Sequence, residues 1–226
     1  MTTLAGRMML QRSPLFRGLP PPAFERVAAL ATRRQYREGE VVCSQGDAGD
    51  ALYAVVTGRI RISTGTPDGR EVFLNIMEPG DTFGEIALLD GGTRTASAVA
   101  MVSSELVMLR REHLFGLLAK EPQVAIELLR LCGARLRWTS GLLEDAALLD
   151  APARLAKRLL SLAHLHGEQD KGGLTLRISQ EDLAGFLGIT RQAVNQHLQT
   201  WKARGWVGLG RGLVTVRDED ALRNLL

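Results

Sequence analysis

Cysteine is almost absent from this chain: 226 residues contain two, Cys43 and Cys132, far apart and without ligand spacing. That argues against a disulfide framework, a zinc site or a cysteine-held iron–sulfur cluster, and it suits a reducing cytoplasm. The four histidines are scattered and add no metal motif, so no metal or covalent cofactor is expected. No apolar run approaches the roughly 20 residues of a membrane span, and no membrane partner is expected. The stretch from Met1 to Gln11 lacks a sustained apolar segment and a small-residue cleavage site, so no signal peptide is expected either. Residues 150–226 contain no nucleophile–base pair, metal cluster or catalytic motif, which is an expectation against an enzyme.

The chain is long enough for one large domain or two small ones with real cores. Its charge is unevenly divided. Residues 151–226 carry 11 Lys/Arg against 7 Asp/Glu, a net of +4, whereas residues 1–150 carry 17 against 18, a net of −1. A basic C-terminal third points to a polyanion partner there.

Residues Leu15 to Thr32 read as a helix opened by Pro20-Pro21-Pro22, with Phe24, Val27, Ala28, Leu30 and Ala31 on one face. From Tyr36 to about Leu109 the pattern changes to short β-type runs: Val41-Val42, Leu52 to Val56, Arg59 to Ser63, Val72 to Met77, Ala96 to Ala100 and Leu106 to Leu109. Turns such as Gly46-Asp47, Gly58, Pro67-Asp68-Gly69 and Pro79-Gly80 separate them. Short strands at near-regular spacing indicate a β-roll, sandwich or barrel.

One loop interrupts this β region and organises the chain. Phe83-Gly84-Glu85-Ile86 is an extended approach, a glycine and the first turn of a short apolar helix, followed after Asp90-Gly91-Gly92-Thr93 by Arg94-Thr95-Ala96. Gly84 lets backbone approach a ligand, and the guanidinium of Arg94 can hold a phosphate with a planar fork of donors. A carboxylate at Glu85 opposes a bare phosphate but suits a hydroxyl, so a sugar joined to a phosphate fits the set. The alternative is a turn with a favourable N-terminal charge, and Arg94 on the surface.

A long helix spans roughly Pro122 to Leu149. Leu129, Leu136 and Leu143 are seven apart, and Ala125, Cys132, Thr139 and Ala146 form a companion series, which predicts a coiled-coil seam of about three heptads. The alternative is a helix packed on its own domain. Thr139 and Ser140 put polarity at or beside the seam, where it needs partners or a purpose. Asp150-Ala151-Pro152 reads as a hinge into a helix ending at His166, amphipathic through Leu155, Leu159, Leu162 and Ala163. Gly167 and Gly172-Gly173 then loosen the chain before a strand from Leu174 to Ile178.

Ser179-Gln180-Glu181-Asp182 is a capped helix start, with Leu183, Ala184, Phe186 and Leu187 apolar. Gly188-Ile189-Thr190 turns into a second helix. There Val194, Leu198 and Trp201 share one face, and Arg191, Gln192, Asn195, Gln196 and Gln199 the other. This is a helix-turn-helix whose exposed residues suit guanine and adenine edges in a major groove, against the alternative of a merely solvated face. Val207 to Val216 reads as a hairpin wing, and Lys202, Arg204 and Arg211 as phosphate contacts.

The order β-roll, phosphate-type loop, seam helix, hinge and winged helix-turn-helix resembles the cyclic-AMP receptor protein/fumarate-nitrate regulator family of bacterial transcription factors over nearly the whole chain. The resemblance implies an α+β protein. Residues 1–120 would be a double-stranded β-helix (jelly-roll) cyclic-nucleotide-binding domain, 121–150 a dimerisation helix and hinge, and 151–226 a winged helix-turn-helix. It implies that Glu85 takes a ribose hydroxyl and that Arg94, Gly84 and Thr95 take the cyclic phosphate, with Ile86 in the same loop. Thr139-Ser140 falls where cyclic-AMP-binding members carry a Thr-Ser pair on the adenine, the threonine serving its own subunit's ligand and the serine the partner's. The expected DNA contacts are Thr190, Arg191, Gln192, Asn195, Gln196, Gln199, Lys202 and Arg211.

Departures accompany the resemblance. The receptor carries Arg-Glu and a later arginine in its recognition helix, where Arg191-Gln192 and Gln196 stand here. Thr95 replaces a serine, a swap also compatible with cyclic GMP. The reading is therefore a cytoplasmic homodimer that binds double-stranded DNA and touches RNA polymerase. Its effector is cyclic AMP first, with cyclic GMP or cyclic di-GMP next. The alternatives are constitutive DNA binding with a vestigial pocket, and a cyclic-nucleotide-controlled enzyme.

Overall fold

The structure, a computed structural model, describes residues 11, 13, 16–66 and 71–226. Contacts divide the chain into two units: residues 1–70 with 74–138, and residues 71–73 with 139–226.

The first unit is built from β1 Thr32–Tyr36, β2 Val41–Cys43, β3 Ala51–Thr57, β4 Ile60–Gly65, β5 Glu71–Met77, β6 Thr82–Phe83, β7 Ser97–Ala100 and β8 Ser104–Arg110. They form two four-stranded sheets in the orders β1-β8-β3-β6 and β2-β7-β4-β5. Its helices are α1 Pro21–Leu30, α2 Glu85–Asp90, α3 Arg111–Leu118 and α4 Pro122–Leu148, the last continuing past the boundary at 138.

β3 shows why the layers form. Its residues from Ala51 to Val56 are all buried, and successive side chains point to opposite faces of a sheet. Ala51, Tyr53 and Val55 join Phe83 and Leu106 against Ile60, Met77, Ala98 and Ala100 of the other sheet, so this face fills the inside of the roll. Leu52, Ala54 and Val56 join Val107 and Leu109 on the outer face. That face is covered by Phe24 and Val27 of α1, Leu114 and Leu117 of α3, and Val124 and Leu128 of α4. A strand buried on both sides reads as a continuous apolar run, which is what the sequence contains there.

The six expected β-runs correspond to β2, β3, β4, β5, β7 and β8. Three elements of this unit were not expected. β1 is polar, Thr32-Arg33-Arg34-Gln35-Tyr36, because it is an edge strand, paired among the described residues only with β8. β6 is two residues long, and α3 follows β8 without a turn signal. The expected helix begins at Pro21, with Pro20 as its cap and a turn over 16–18; Leu15 lies outside the described residues, as does the expected Pro67-Asp68-Gly69 turn. Leu30 is exposed rather than facing the core, since the chain leaves the helix in extended conformation at Ala31.

The second unit contains α5 Ala151–His166, β9 Glu168–Asp170, β10 Gly173–Arg177, α6 Gln180–Leu187, α7 Arg191–Ala203, β11 Val207–Gly210, β12 Leu213–Val216 and α8 Glu219–Arg223. The Asp150 carboxylate accepts from the Ala153 N–H at 2.9 Å, which caps α5, and Leu155, Leu159, Leu162 and Ala163 are buried as expected. The strands form one sheet in the order β11-β12-β10-β9. The segment around Gly172-Gly173 is not a loosening but the turn of the β9–β10 hairpin. The Asp170 carboxylate accepts from the Gly172 N–H at 2.6 Å and the Thr175 hydroxyl at 2.7 Å. The Thr175 hydroxyl, and then the Gly172 N–H, hold the Asp170 carboxyl below its ordinary range.

Candidate functional site

The loop between β6 and β7 is shaped by one glycine. Gly84 caps α2 with φ +86°, a left-handed conformation that side chains disfavour. A Cβ at that position would stand 2.6 Å from Nη1 of Arg94 and 3.1 Å from the carbonyl oxygen of Ala51. The glycine is therefore required by its own backbone and by its neighbour's side chain.

That neighbour is the centre of the site. Arg94 is 3% exposed, not on the surface. Its backbone N–H donates to the Asp47 carbonyl at 2.7 Å, and its carbonyl accepts from the Gly46 N–H at 2.9 Å. At the other end Nη1 donates to the Gly84 carbonyl at 3.0 Å and Nη2 to the Ala51 carbonyl at 2.7 Å. The Asp50 carboxylate is 3.8 Å away but 72% exposed, so water weakens its compensation. Nε is buried and bonds to no group among the described residues. The guanidinium lies over the Tyr53 ring, with Cζ 5.5 Å from its centroid, and Tyr53 stacks on Phe83 at 5.3 Å. A cation held mainly by neutral carbonyls, with a donor to spare, is a seat for an anion.

Glu85 is also buried at 3%, but its partner comes from the long helix. Oε1 is 3.4 Å from Nε of Arg135, and Nη2 of Arg135 donates to the Thr82 carbonyl at 2.8 Å. Sequence reasoning missed Arg135, Tyr53 and Asp50, because nothing local in their surroundings marks them. The structure brings Gly84 and Arg94 into contact and places Glu85 beside Gly84. The side chain of Ile86 is 43% exposed, and Thr95 is exposed as well. Thr139 and Ser140 are exposed on α4, within the second unit.

The helix-turn-helix is the second candidate. Ser179 and Asp182 form a capping box: the Ser179 hydroxyl accepts from the Asp182 N–H at 3.0 Å, and the Asp182 carboxylate from the Ser179 N–H at 3.3 Å. Gly188 ends α6 in left-handed conformation, φ +63°, and the Thr190 hydroxyl caps α7 by accepting from the Ala193 N–H at 3.2 Å. Val194, Leu198 and Trp201 of α7 are buried, which leaves Thr190, Arg191, Gln192, Asn195, Gln196, Gln199 and Lys202 exposed on the same helix. Gln199 donates to the Asn195 side-chain carbonyl at 3.4 Å, so these two amides lie one turn apart and oriented together. β11 and β12 make the wing, with Arg211 exposed at its tip. Arg191 and Arg211 both line one cleft of about 440 Å³, together with Ser179 and Gln180. The guanidinium of Arg204, also exposed, packs over the Trp206 ring at 4.9 Å.

Residues 33–121 match the cyclic nucleotide-binding domain family, and residues 153–225 match the Crp-like helix-turn-helix domain family. The chain is 37% identical over 219 residues to the CRP-like cAMP-activated global transcriptional regulator of Mycobacterium tuberculosis, covering 95% of this chain and 96% of the relative. It belongs to the cyclic-AMP receptor protein/fumarate-nitrate regulator family. Another member of the family, the cyclic AMP receptor protein of Thermus thermophilus, is 37% identical over 216 residues, covering 96% and 98% of the two chains. Among solved structures of the family, the c-di-GMP-responsive global regulator CLP of Xanthomonas campestris superposes with a TM-score of 0.79 at 25% identity, covering 87% of this chain and 99% of that one. Family membership makes the chain a transcription regulator with an N-terminal cyclic-nucleotide-binding domain and a DNA-binding helix-turn-helix. The resemblance inferred from the motifs is thus the right one, and so is the fold class.

Proposed function

We propose that a cyclic nucleotide, cyclic AMP first, binds inside the β-roll on Arg94 and Glu85 and biases a homodimer toward an arrangement that binds double-stranded DNA. The observation that carries this reading is the Arg94 side chain, 3% exposed, held by two carbonyls and with Nε unpartnered among the described residues. A cyclic phosphate would accept from the free donors of Arg94, with Gly84 allowing close approach and Thr95 adding a hydroxyl. Glu85 would accept from the ribose. Since Glu85 already pairs with Arg135 of the long helix, a ligand competing for that carboxylate acts directly on the element that carries the seam.

The preference for cyclic AMP rests on the two relatives whose names tie them to it. A second reading, cyclic di-GMP, is favoured by the structural neighbour described as responsive to that ligand. The homodimer reading is supported by Leu129, Leu136 and Leu143, which are 72%, 70% and 71% exposed in the single chain at seven-residue spacing. Burying a leucine stabilises by about 1.5–3 kcal/mol, so three pairs left in water are a strong drive to associate. Thr139 and Ser140 would then meet the base at the seam. On the DNA side Arg191, Gln192, Asn195, Gln196 and Gln199 would read base edges, while Thr190, Lys202 and Arg211 position the phosphate backbone. Contact with RNA polymerase and a cytoplasmic location complete the reading, and both cysteines being free thiols agrees with the latter.

Calorimetric titration of the purified chain with cyclic AMP, cyclic GMP and cyclic di-GMP separately tests the effector. Saturable heat with cyclic AMP, coupled to tighter operator binding, is the expected result; no heat with any of the three leaves constitutive DNA binding. The seam is tested by Leu136→Glu, which sets like charges face to face. Sedimentation should find that variant monomeric at micromolar concentration, and a dimer would move the interface elsewhere.

A further inference from the structure

The constraints on Arg94 come in two kinds. The Gly84 and Ala51 carbonyls hold its terminal nitrogens at 3.0 and 2.7 Å, and these hydrogen bonds fix the guanidinium within its own plane. They do little to stop the plane from rocking about the line joining them. Among the described residues the guanidinium stands over one aromatic ring, that of Tyr53, with Cζ 5.5 Å from its centroid and within the range of a cation–π contact.

Tyr53 is itself locked. It is 7% exposed and sits directly opposite Phe83 in the β3–β6 pair, and the two rings stack with an interplanar angle of 17°. The two strands therefore deliver the two carbonyls and the ring that meet the arginine head. β3 supplies the Ala51 carbonyl and, two residues on, the Tyr53 ring. The end of β6 supplies Phe83 and then the Gly84 carbonyl. The charge also gains from the ring's quadrupole, which matters because the remaining compensation is two neutral carbonyls and an exposed carboxylate.

We infer that Tyr53 is a positioning residue for the ligand's phosphate: it does not touch the nucleotide but sets the tilt at which the spare donors of Arg94 meet it. The inference rests on the proposal that Arg94 binds the phosphate. It concerns the electron-rich face of the ring rather than the hydroxyl, so Tyr53→Phe should hold nucleotide affinity within about threefold, whereas Tyr53→Leu should lose roughly tenfold or more, the scale of a desolvated cation–π contact.

Tyr53→Leu also opens space in the roll, so a shape-preserving series decides the matter. Position 53 is filled by suppression with phenylalanine and then mono-, di- and trifluorophenylalanine, which keep the ring's size while draining its face of charge. Cyclic AMP affinity of the full chain is read by calorimetry, and the Arg94 Nε–H resonance by NMR without ligand. Affinity falling stepwise with fluorination, with a parallel drift of that resonance, is the expected result. Equal affinity across the series in folded protein would overturn the inference, as would a resonance unmoved by fluorination. The ligand-free resonance keeps this apart from the parent reading: if no cyclic nucleotide binds the unaltered protein, the phosphate proposal fails, while the drift still reports whether Tyr53 orients Arg94.

Discussion

In the proposed reading, Arg94 and Arg191 are the same side chain put to opposite uses. Arg94 is 3% exposed, its terminal nitrogens already bonded to carbonyls and its Cζ over the Tyr53 ring. Arg191 opens α7 on the exposed side of the recognition helix. Folding has already ordered and desolvated the first, so a small ligand with few contacts can gain from a single charge–charge meeting. The second keeps its water and rotamer freedom until DNA arrives, so it contributes less to binding but can discriminate between bases. A pocket for one metabolite needs the buried cation; a surface that scans many sequences needs the exposed one.

The contrast is tested hardest at Arg94. Arg94→Ala removes one partner of a buried charge interaction and should cost ~2–5 kcal/mol of cyclic-nucleotide binding. Calorimetry on the folded variant checks it, and unchanged affinity would take Arg94 out of the site. DNA binding measured without nucleotide should be unaltered, which separates the two arginines.

Arg191→Ala should cost less, about 1–3 kcal/mol of operator binding, and relax preference at one base pair in each half-site. Binding-site selection at fixed salt reads this directly. Should every position keep its wild-type preference, another element reads the bases.

A smaller effect is expected from the cap beside it. Thr190→Ala loses the hydrogen bond to the Ala193 N–H and should lower the stability of the second unit by about 1 kcal/mol, seen as an earlier thermal transition. Nucleotide affinity should not follow. The smallest change in discrimination belongs to Arg211, at the wing tip. Arg211→Ala should weaken all sequences about equally and reduce the slope of log affinity against log salt by about one. A sequence-dependent loss would mean that the wing reads bases as well.

Legibility differed between the two regions for a physical reason. The helix-turn-helix is local chemistry: a serine cap and its acidic partner three residues on, a left-handed glycine at 188, a threonine cap at 190 and apolar residues one turn apart. Each signal lies within a few residues of what it controls; the serine cap, the turn at Gly188 and the apolar face of α7 stand where expected, and the left-handed conformation of Gly188 is what the structure adds. In the β-roll, runs such as Leu52 to Val56 announced themselves, but β1 and β6 did not. One is polar because it is an edge, and the other is too short to have a period.

The proposed ligand site was legible in its residue types and not in its wiring. A glycine, a glutamate and an arginine at that spacing, taken with the leucine series of the long helix and the turn, were enough to point, through the resemblance, to the family. The sequence alone also determined the caps, the exposed leucine series and the face that α7 offers. Only the tertiary structure decided that Arg94 is buried, that it is held by a carbonyl 43 residues away and backed by Tyr53, and that Glu85 answers to Arg135 on a different element. Those contacts are made by backbone carbonyls and side chains that carry no periodicity and sit far apart in the chain. Their meeting depends on closing the roll, a long-range event that leaves no local trace in the order of residues.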